Sequence, residues 1–175
     1  GAYSYIDEDG VGILDGNWAD AGNFSEGLAY AKIDGSYGYI DESGQTAIAP
    51  RWDRGRSFSE GYAAVREGDL WGFIDKSGSV VVEPQYDDAV RFADSLAAVE
   101  KDDLKGYIDE TGSVVIPLQY EIAGAFEQGR AWAKLDGEYR MIDKIGAEIG
   151  ANRWDNVFSE FAFTDLCRVC RGGLW

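Results

Sequence analysis

The sequence contains no histidine, only two cysteines and three prolines, and half as many basic as acidic residues. The lack of histidine removes the commonest general base, the Ser-His-Asp and Cys-His arrangements, and the commonest metal ligand. With 16 Lys and Arg against 32 Asp and Glu, the net charge is −16. Binding to nucleic acid or to an anionic membrane surface is not expected, because both require clustered basic residues. The charge fits the solubility of a long exposed surface, with a cationic or metal-ion partner as the alternative.

Long hydrophobic runs are also missing, so no segment is expected to insert into a membrane. The opening residues GAYSYIDEDG lack the basic and apolar parts of a signal peptide, and the missing initiator Met predicts a fragment or a processed form. No compartment is assigned. Neither a phosphate loop nor a dinucleotide fingerprint occurs, so no cofactor is expected.

The two cysteines, Cys167 and Cys170, form a C-x-x-C motif. Such a motif can be a redox pair or half of a zinc site, but zinc would need two further Cys or His ligands that this sequence lacks. In the register of the repeat described next, both cysteines fall on strand positions. They are therefore interpreted as packing or incidental thiols.

What is present instead is an internal repeat. The segment YGYIDESG at 37 returns as WGFIDKSG at 71 and KGYIDETG at 105, with weaker copies at 3 and 139. An Asp column and a Gly column share the spacing of 34 residues: Asp7, Asp41, Asp75, Asp109, Asp143 and Gly10, Gly44, Gly78, Gly112, Gly146. A fixed period of this size indicates a tandem repeat whose units cannot bury a core alone. We predict one repeat domain over 1–175, with units 3–36, 37–70, 71–104, 105–138 and a divergent 139–175.

Each unit is predicted to contain three short antiparallel strands. GYID forms the first, an SG or TG turn with Gly at positive φ follows, and VVVE or SVVI forms the second. PQYDDAVRF is predicted to be a loop, and GYAAVRE or SLAAVEK the third strand, which pairs with the first strand of the next unit. The fold class is therefore all-β, with the repeats stacked as an open curved array. A closed propeller-like ring is the alternative, although propeller blades usually need about 40–45 residues.

Residues 70–120 resemble the WG repeats, also called KWG repeats, of bacterial proteins. The Trp-Gly pair that gives these repeats their name is Trp71-Gly72 here, and it degenerates to Tyr37-Gly38, Lys105-Gly106 and Tyr139-Arg140. The resemblance covers essentially the whole chain. It implies a bacterial, all-β, tandemly repeated module with interaction roles and no shared catalytic site.

The Asp column precedes the same turn in every copy, and Asp can define a turn by accepting hydrogen bonds from the backbone two residues on. Calcium is the alternative in the first copy, where Asp7, Glu8 and Asp9 stand together. In other copies Lys76 or Lys144 would intrude on an ion. A glycan hydrolase with a carboxylate pair stays open, but a catalytic residue should be singular, whereas these acidic residues recur.

Two aromatic columns share the period. The first, predicted to be only partly buried, is either packing between units or a stripe that binds a partner, because Tyr and Trp dominate interaction hot spots. Its members, with the acidic residues that follow two of them, form the candidate binding set: Trp18, Trp52, Tyr86, Tyr120, Trp154, Asp53 and Asp87. The second column is purely apolar and predicts a core seam that joins unit to unit: Phe24, Phe58, Phe92, Phe126 and Phe158.

These features predict a non-catalytic scaffold that binds a protein or peptide partner through an extended acidic, aromatic-bearing surface. A cationic peptide suits such a surface, because each aromatic stands near a carboxylate. A carbohydrate-binding repeat and a carboxylate-based glycan hydrolase are the alternatives. No catalytic residue and no metal ligand is assigned.

Overall fold

The computed structural model describes residues 3–6, 9, 12–157 and 169–170. Within these residues all regular structure is β-strand, which confirms the all-β prediction. The chain divides into two compact units, Gly1–Tyr86 and Asp87–Trp175, which we call the first unit and the second unit. The 34-residue repeats are called copies. The single domain over 1–175, and the choice between an open array and a closed ring, stay predictions.

The first unit holds three small antiparallel sheets. Its strands are β1 (Tyr3–Ile6), β2 (Gly12–Trp18), β3 (Leu28–Ile33), β4 (Ser36–Asp41), β5 (Thr46–Trp52), β6 (Arg54–Gly55), β7 (Tyr62–Glu67), β8 (Leu70–Asp75) and β9 (Val80–Tyr86). The sheet orders are β1-β2, β3-β4-β5 and β6-β7-β8-β9, so no sheet of the described residues closes on itself.

The second unit repeats this plan. Its strands are β10 (Asp88–Ala93), β11 (Leu96–Lys101), β12 (Leu104–Ile108), β13 (Val114–Tyr120), β14 (Ile122–Ala123), β15 (Arg130–Leu135), β16 (Glu138–Asp143), β17 (Asn156–Val157) and β18 (Val169–Cys170). The sheet orders are β10-β11-β12-β13, β14-β15-β16 and β17-β18. Cys170 lies on β18 and pairs with Asn156 of β17, in agreement with its predicted strand position. Cys167 lies outside the described residues.

The predicted meander of third strand, next first strand and next second strand is confirmed by the order β7-β8-β9. The predicted loop PQYDDAVRF is wrong. Its first residues extend β9 to Tyr86, and Asp88–Ala93 forms the edge strand β10. Burial explains this, because Ala89 and Phe92 face the core while the edge strand adds backbone hydrogen bonds to β11.

A β-bulge in the second strand of a copy lies opposite the glycine of the Trp-Gly or Tyr-Gly pair in the first strand. This bulge explains why a residue without a side chain stands there. Between the pairs Trp71↔Tyr86 and Phe73↔Val82, the single residue Gly72 faces the three residues 83–85. A Cβ on Gly72 would stand 2.3 Å from the carbonyl oxygen of Val82, which is far inside contact distance. Pro84 is tolerated because a bulge removes a donor from the ladder.

The Phe column is buried as predicted. Phe58, Phe92 and Phe126 are 1%, 0% and 2% exposed. Phe58 packs edge-on against Tyr39 of the neighbouring β3-β4-β5 sheet with 4.8 Å between ring centroids. A seam of this kind contributes on the order of 1.5–3 kcal/mol for each buried Phe. Phe24 is half-buried, and Phe158 lies outside the described residues.

The last copy departs from the plan at its glycine. Arg140 stands in that place and is buried, with Nη1 donating to Glu148 Oε1 at 2.8 Å and Nη2 donating to the carbonyl of Leu135 at 2.6 Å. Single bridges, Tyr139↔Trp154 and Ile142↔Glu148, stand where other copies have a continuous second strand.

Candidate functional site

The Asp column defines the turn after each first strand. Asp75 Oδ1 accepts hydrogen bonds from Ser77 N at 2.8 Å, Ser77 Oγ at 2.6 Å and Ser79 N at 3.0 Å. The hydroxyl and backbone donors hold the pKa of Asp75 below its usual range, and the same donors lower the pKa of Asp41 and Asp109. The turn glycines have positive φ, as predicted: Gly44 (80°), Gly78 (82°), Gly112 (83°) and Gly146 (81°).

The described part of the chain contains neither a candidate metal site nor a helix that could span a membrane. No group of three or more His, Cys, Asp or Glu side chains is placed to hold a metal ion there. Asp7 and Glu8 of the candidate calcium turn lie outside the described residues. No helix in that part is long and apolar enough to cross a membrane.

The first aromatic column lies deeper than predicted. Trp52, Tyr86 and Tyr120 are 3%, 5% and 2% exposed, so the prediction that this column is only partly buried is wrong for these three. The indole N–H of Trp52 is buried and makes no hydrogen bond within the described residues. Alternation along the strand is the physical reason, because Trp52 lies four residues after the buried Ile48 and so on the same face of β5. Trp18 and Trp154 are half-buried.

Asp53 and Asp87, the acidic residues of the candidate set, clamp exposed hairpin tips. Asp53 Oδ2 accepts a hydrogen bond from Gly68 N at 2.7 Å, and Asp87 Oδ2 accepts one from Asp102 N at 2.7 Å. Glu121 Oε1 does the same for Gly137 N at 2.7 Å. We call each tip with its clamping carboxylate an acidic hairpin: tip 67–69 with Asp53, tip 101–103 with Asp87, and tip 136–138 with Glu121. All of these residues are exposed.

A groove in the first unit was not predicted from the sequence. We call it the basic groove, and its volume is about 490 Å³. It is lined by Lys32, Gly35, Tyr37, Asp53, Arg54, Arg66, Gly68 and Asp69. One signal was available: RWDRGR at 51–56 places three of the 16 basic residues within six positions of an acidic chain.

Among solved structures, the fold is similar to a plant lectin with two metal binding sites from Cicer arietinum (14% identity, TM-score 0.32, 79% of this chain and 92% of that chain). It is also similar to a plant albumin from Cicer arietinum showing hemagglutination (13% identity, TM-score 0.33, 90% and 92% covered). A third is LS24, a seed albumin from Lathyrus sativus (14% identity, TM-score 0.30, 70% and 84% covered). Similarity at these TM-scores carries no argument about binding.

No curated protein matches the sequence. The family model described as WG containing repeat matches four tandem copies, at residues 3–37, 37–71, 71–104 and 106–139. The match stops before the copy in which Arg140 replaces glycine. The repeat carries the Asp-Gly turn and the glycine opposite the bulge, which are the two features that shape the sheets β3-β4-β5, β6-β7-β8-β9 and β10-β11-β12-β13. The chain therefore belongs to the family of proteins with the WG containing repeat.

Proposed function

We propose that the chain is a non-catalytic repeat scaffold whose acidic hairpins bind a basic protein or peptide partner. The observation that carries the proposal is the recurrence of the acidic hairpin. Each one presents three exposed carboxylates: Asp53, Glu67 and Asp69 in the first, Asp87, Asp102 and Asp103 in the second, and Glu121, Asp136 and Glu138 in the third.

The clamp fixes these carboxylates without neutralising them. In Asp53, Asp87 and Glu121, one oxygen accepts a hydrogen bond from the backbone of the tip. The carboxylates of the tips are exposed, and Glu121 also pairs with Lys134 through Oε2 at 3.5 Å. Fixed negative charges of this kind steer a cationic partner and set its orientation, and the effect falls as salt rises. A partner with Lys or Arg spaced along an extended segment suits such a surface.

The state of the Asp column supports the non-catalytic part of the proposal. A general acid needs a raised pKa, so that it is protonated at the operating pH. The donors around Asp41, Asp75 and Asp109 lower the pKa of these carboxyl groups, so they stay ionised. A carboxyl group whose pKa is lowered in this way does not suit the role of a general acid.

The buried aromatic column does not favour a glycan. Stacking on a sugar requires an exposed ring face, and Trp52, Tyr86 and Tyr120 are almost fully buried. The proposed binding surface therefore consists of the exposed carboxylates and does not include the aromatic rings.

Calorimetric titration of the full chain with a short oligolysine peptide tests the proposal. The test variant carries Asp102→Asn, Asp103→Asn and Asp136→Asn, at residues with φ of 53°, 65° and 54°. Asn tolerates these left-handed conformations and removes only the charge. We expect binding to weaken by roughly tenfold, which is about 1.4 kcal/mol.

The matched control loses three charges elsewhere on the surface, through Glu42→Gln, Glu83→Gln and Glu110→Gln. We expect it to bind nearly as well as the parent chain. Equal weakening in both variants would reduce the effect to net charge, and no binding by the parent chain would contradict the proposal outright.

A further inference from the structure

We propose that the basic groove of the first unit binds a small ligand that carries an oxyanion group, either a carboxylate or a phosphate. The groove shares Asp53, Gly68 and Asp69 with the first acidic hairpin, but its cations would attract a ligand of the opposite charge. The inference rests on the arrangement of three cations, Lys32, Arg54 and Arg66, that line the groove.

The two arginines face each other across a strand pair. In the register of β6 and β7, Arg54 lies directly opposite Arg66. Like charges at directly opposite positions destabilise an antiparallel pair. An anion bound between the two guanidinium groups would remove this repulsion.

No carboxylate of the described residues neutralises these cations. The charged nitrogens of Lys32, Arg54 and Arg66 have no carboxylate oxygen within the ion-pair distance of 4.0 Å. Lys32 Nζ lies 5.6 Å from the centroid of the Tyr37 ring, and the Arg66 guanidinium lies 6.0 Å from that of Trp71. Cation–π contacts of this length leave the positive charge in place.

Arg66 also has a donor to spare. Its Nε is buried and makes no hydrogen bond within the described residues. A buried polar group without a partner costs free energy, so a shift of the Arg66 side chain that lets a ligand oxygen accept this hydrogen bond is favoured. The planar guanidinium matches carboxylate and phosphate oxygens, which it can bind in pairs.

The acidic residues of the groove do not compensate fully. Asp53 uses one oxygen to clamp Gly68 N, and Asp69 is exposed at the hairpin tip. Three cations against these two carboxylates leave the lining positive in a chain whose net charge is −16. The Tyr37 hydroxyl donates to Asp20 Oδ2 at 2.6 Å and is therefore not counted as a donor for the ligand.

The second unit shows how the repeat handles the same position when it needs no external ligand. There Asp88 lies opposite Glu100, again as a like-charge pair. Lys105 forms an ion pair with Glu100 and so supplies a counter-ion from the chain itself. In the first unit, the residue equivalent to Lys105 is Trp71, which carries no charge.

The cation set is singular within the repeat. One period of 34 residues further along, the equivalent residues are Arg66, Asp88 and Glu100, and after a second period they are Glu100, Ile122 and Lys134. Scaffold residues recur in this chain, so a set that occurs once is better explained by a ligand than by the fold. The volume of about 490 Å³ suits a small molecule, since such sites occupy about 300–1,000 Å³.

The test is a titration of the full chain, first with inorganic phosphate and separately with citrate, at an ionic strength held constant with sodium chloride. Binding is followed by NMR at the Arg66 Nε–H and at the amides of Gly35 and Gly68. We expect saturable shifts at these positions. Saturation with phosphate alone, with citrate alone or with both supports the site and identifies which oxyanion it prefers.

Three variants decide whether the groove is responsible. Arg54→Gln removes an exposed cation, so the fold should survive, and the amide spectrum checks this. We expect it to weaken binding roughly tenfold, and Arg54→Lys to weaken it less, because charge is kept while the paired donors are lost. Lys134→Gln in the second unit is the matched control and should bind as the parent chain does. Shifts that do not saturate, or equal affinity in Arg54→Gln and the parent chain, would overturn the proposal.

Discussion

The strand pair β6-β7 of the first unit and the strand pair β10-β11 of the second occupy the same place in the repeat but carry opposite charges. Arg54 faces Arg66 in the first, and Asp88 faces Glu100 in the second. The acidic pair has Lys105 as a counter-ion from the chain, whereas the described residues supply none to the arginine pair.

This difference separates what the repeat needs from what it can vary. Both units keep the Asp-Gly turn, the glycine opposite the bulge and the buried Phe, since each of these decides whether a sheet forms or packs. The residues at the rim of the hairpins change in charge from copy to copy. The proposed oxyanion site lies at positions where equivalent residues differ, whereas the proposed acidic hairpins recur.

The largest expected effect tests whether the two units share one core design. Phe58→Ala and Phe126→Ala should each lower the free energy of unfolding by about 3–5 kcal/mol, because each ring is buried and packs at 4.8 Å on a Tyr. Urea denaturation measures both losses. Phe24→Ala, at a half-buried ring, is the control and should cost less. A large loss in one unit only would show that the units are not equivalent.

A smaller effect is expected at the glycine opposite the bulge. Gly72→Ala and Gly106→Ala should cost about 1–3 kcal/mol each, because the new Cβ would stand 2.3 Å from Val82 O and 2.6 Å from Ile116 O. Thermal unfolding of each variant measures the change. Gln85→Ala, at an exposed residue of the same bulge, is the control and should change stability by no more than about 0.5 kcal/mol. Neutral glycine variants would refute the steric explanation of the motif.

The smallest effect concerns the rim cations themselves. Lys134 pairs with Glu121 at 3.5 Å, so Lys134→Ala should cost about 0.2–1 kcal/mol. Arg54→Ala should cost nothing or stabilise slightly at low salt, because it removes the repulsion from Arg66. Chemical denaturation in low and high salt checks both, and the difference between the variants should shrink as salt rises. An Arg54→Ala variant that loses as much stability as Lys134→Ala would contradict the claim that Arg54 is unpaired.

Residues at the candidate sites were predictable only where their partners are near in sequence. Asp75 and Gly78 were assigned correctly, because the carboxylate accepts hydrogen bonds from donors no more than four residues away. Asp53 was singled out, but its clamp on Gly68 joins residues on either side of β6 and β7 and was not foreseen. Lys32, Arg54 and Arg66 were missed, because only the pairing of separate strands brings them to one groove.

The aromatic columns show the same limit. The Phe column was assigned to the core because a purely apolar side chain gains most by burial. Tyr86 and Trp52 have a polar group on a large apolar ring, so either surface or core was consistent with the sequence. Alternation decided for the core, because Trp52 and Tyr86 each lie four residues after a buried residue of the same strand. The predicted second strand ended before Tyr86, so this alternation was not followed as far as the ring.

The sequence by itself determined the period, the strand order within each repeat and the Asp-Gly turns, because these depend on contacts within a few residues and on alternation along a strand. The tertiary structure decided that the segment after each second strand joins the sheet, that Trp52, Tyr86 and Tyr120 are buried, and that Arg54 meets Arg66. The first two outcomes depend on how far each strand extends, and the third depends on the register in which two strands pair.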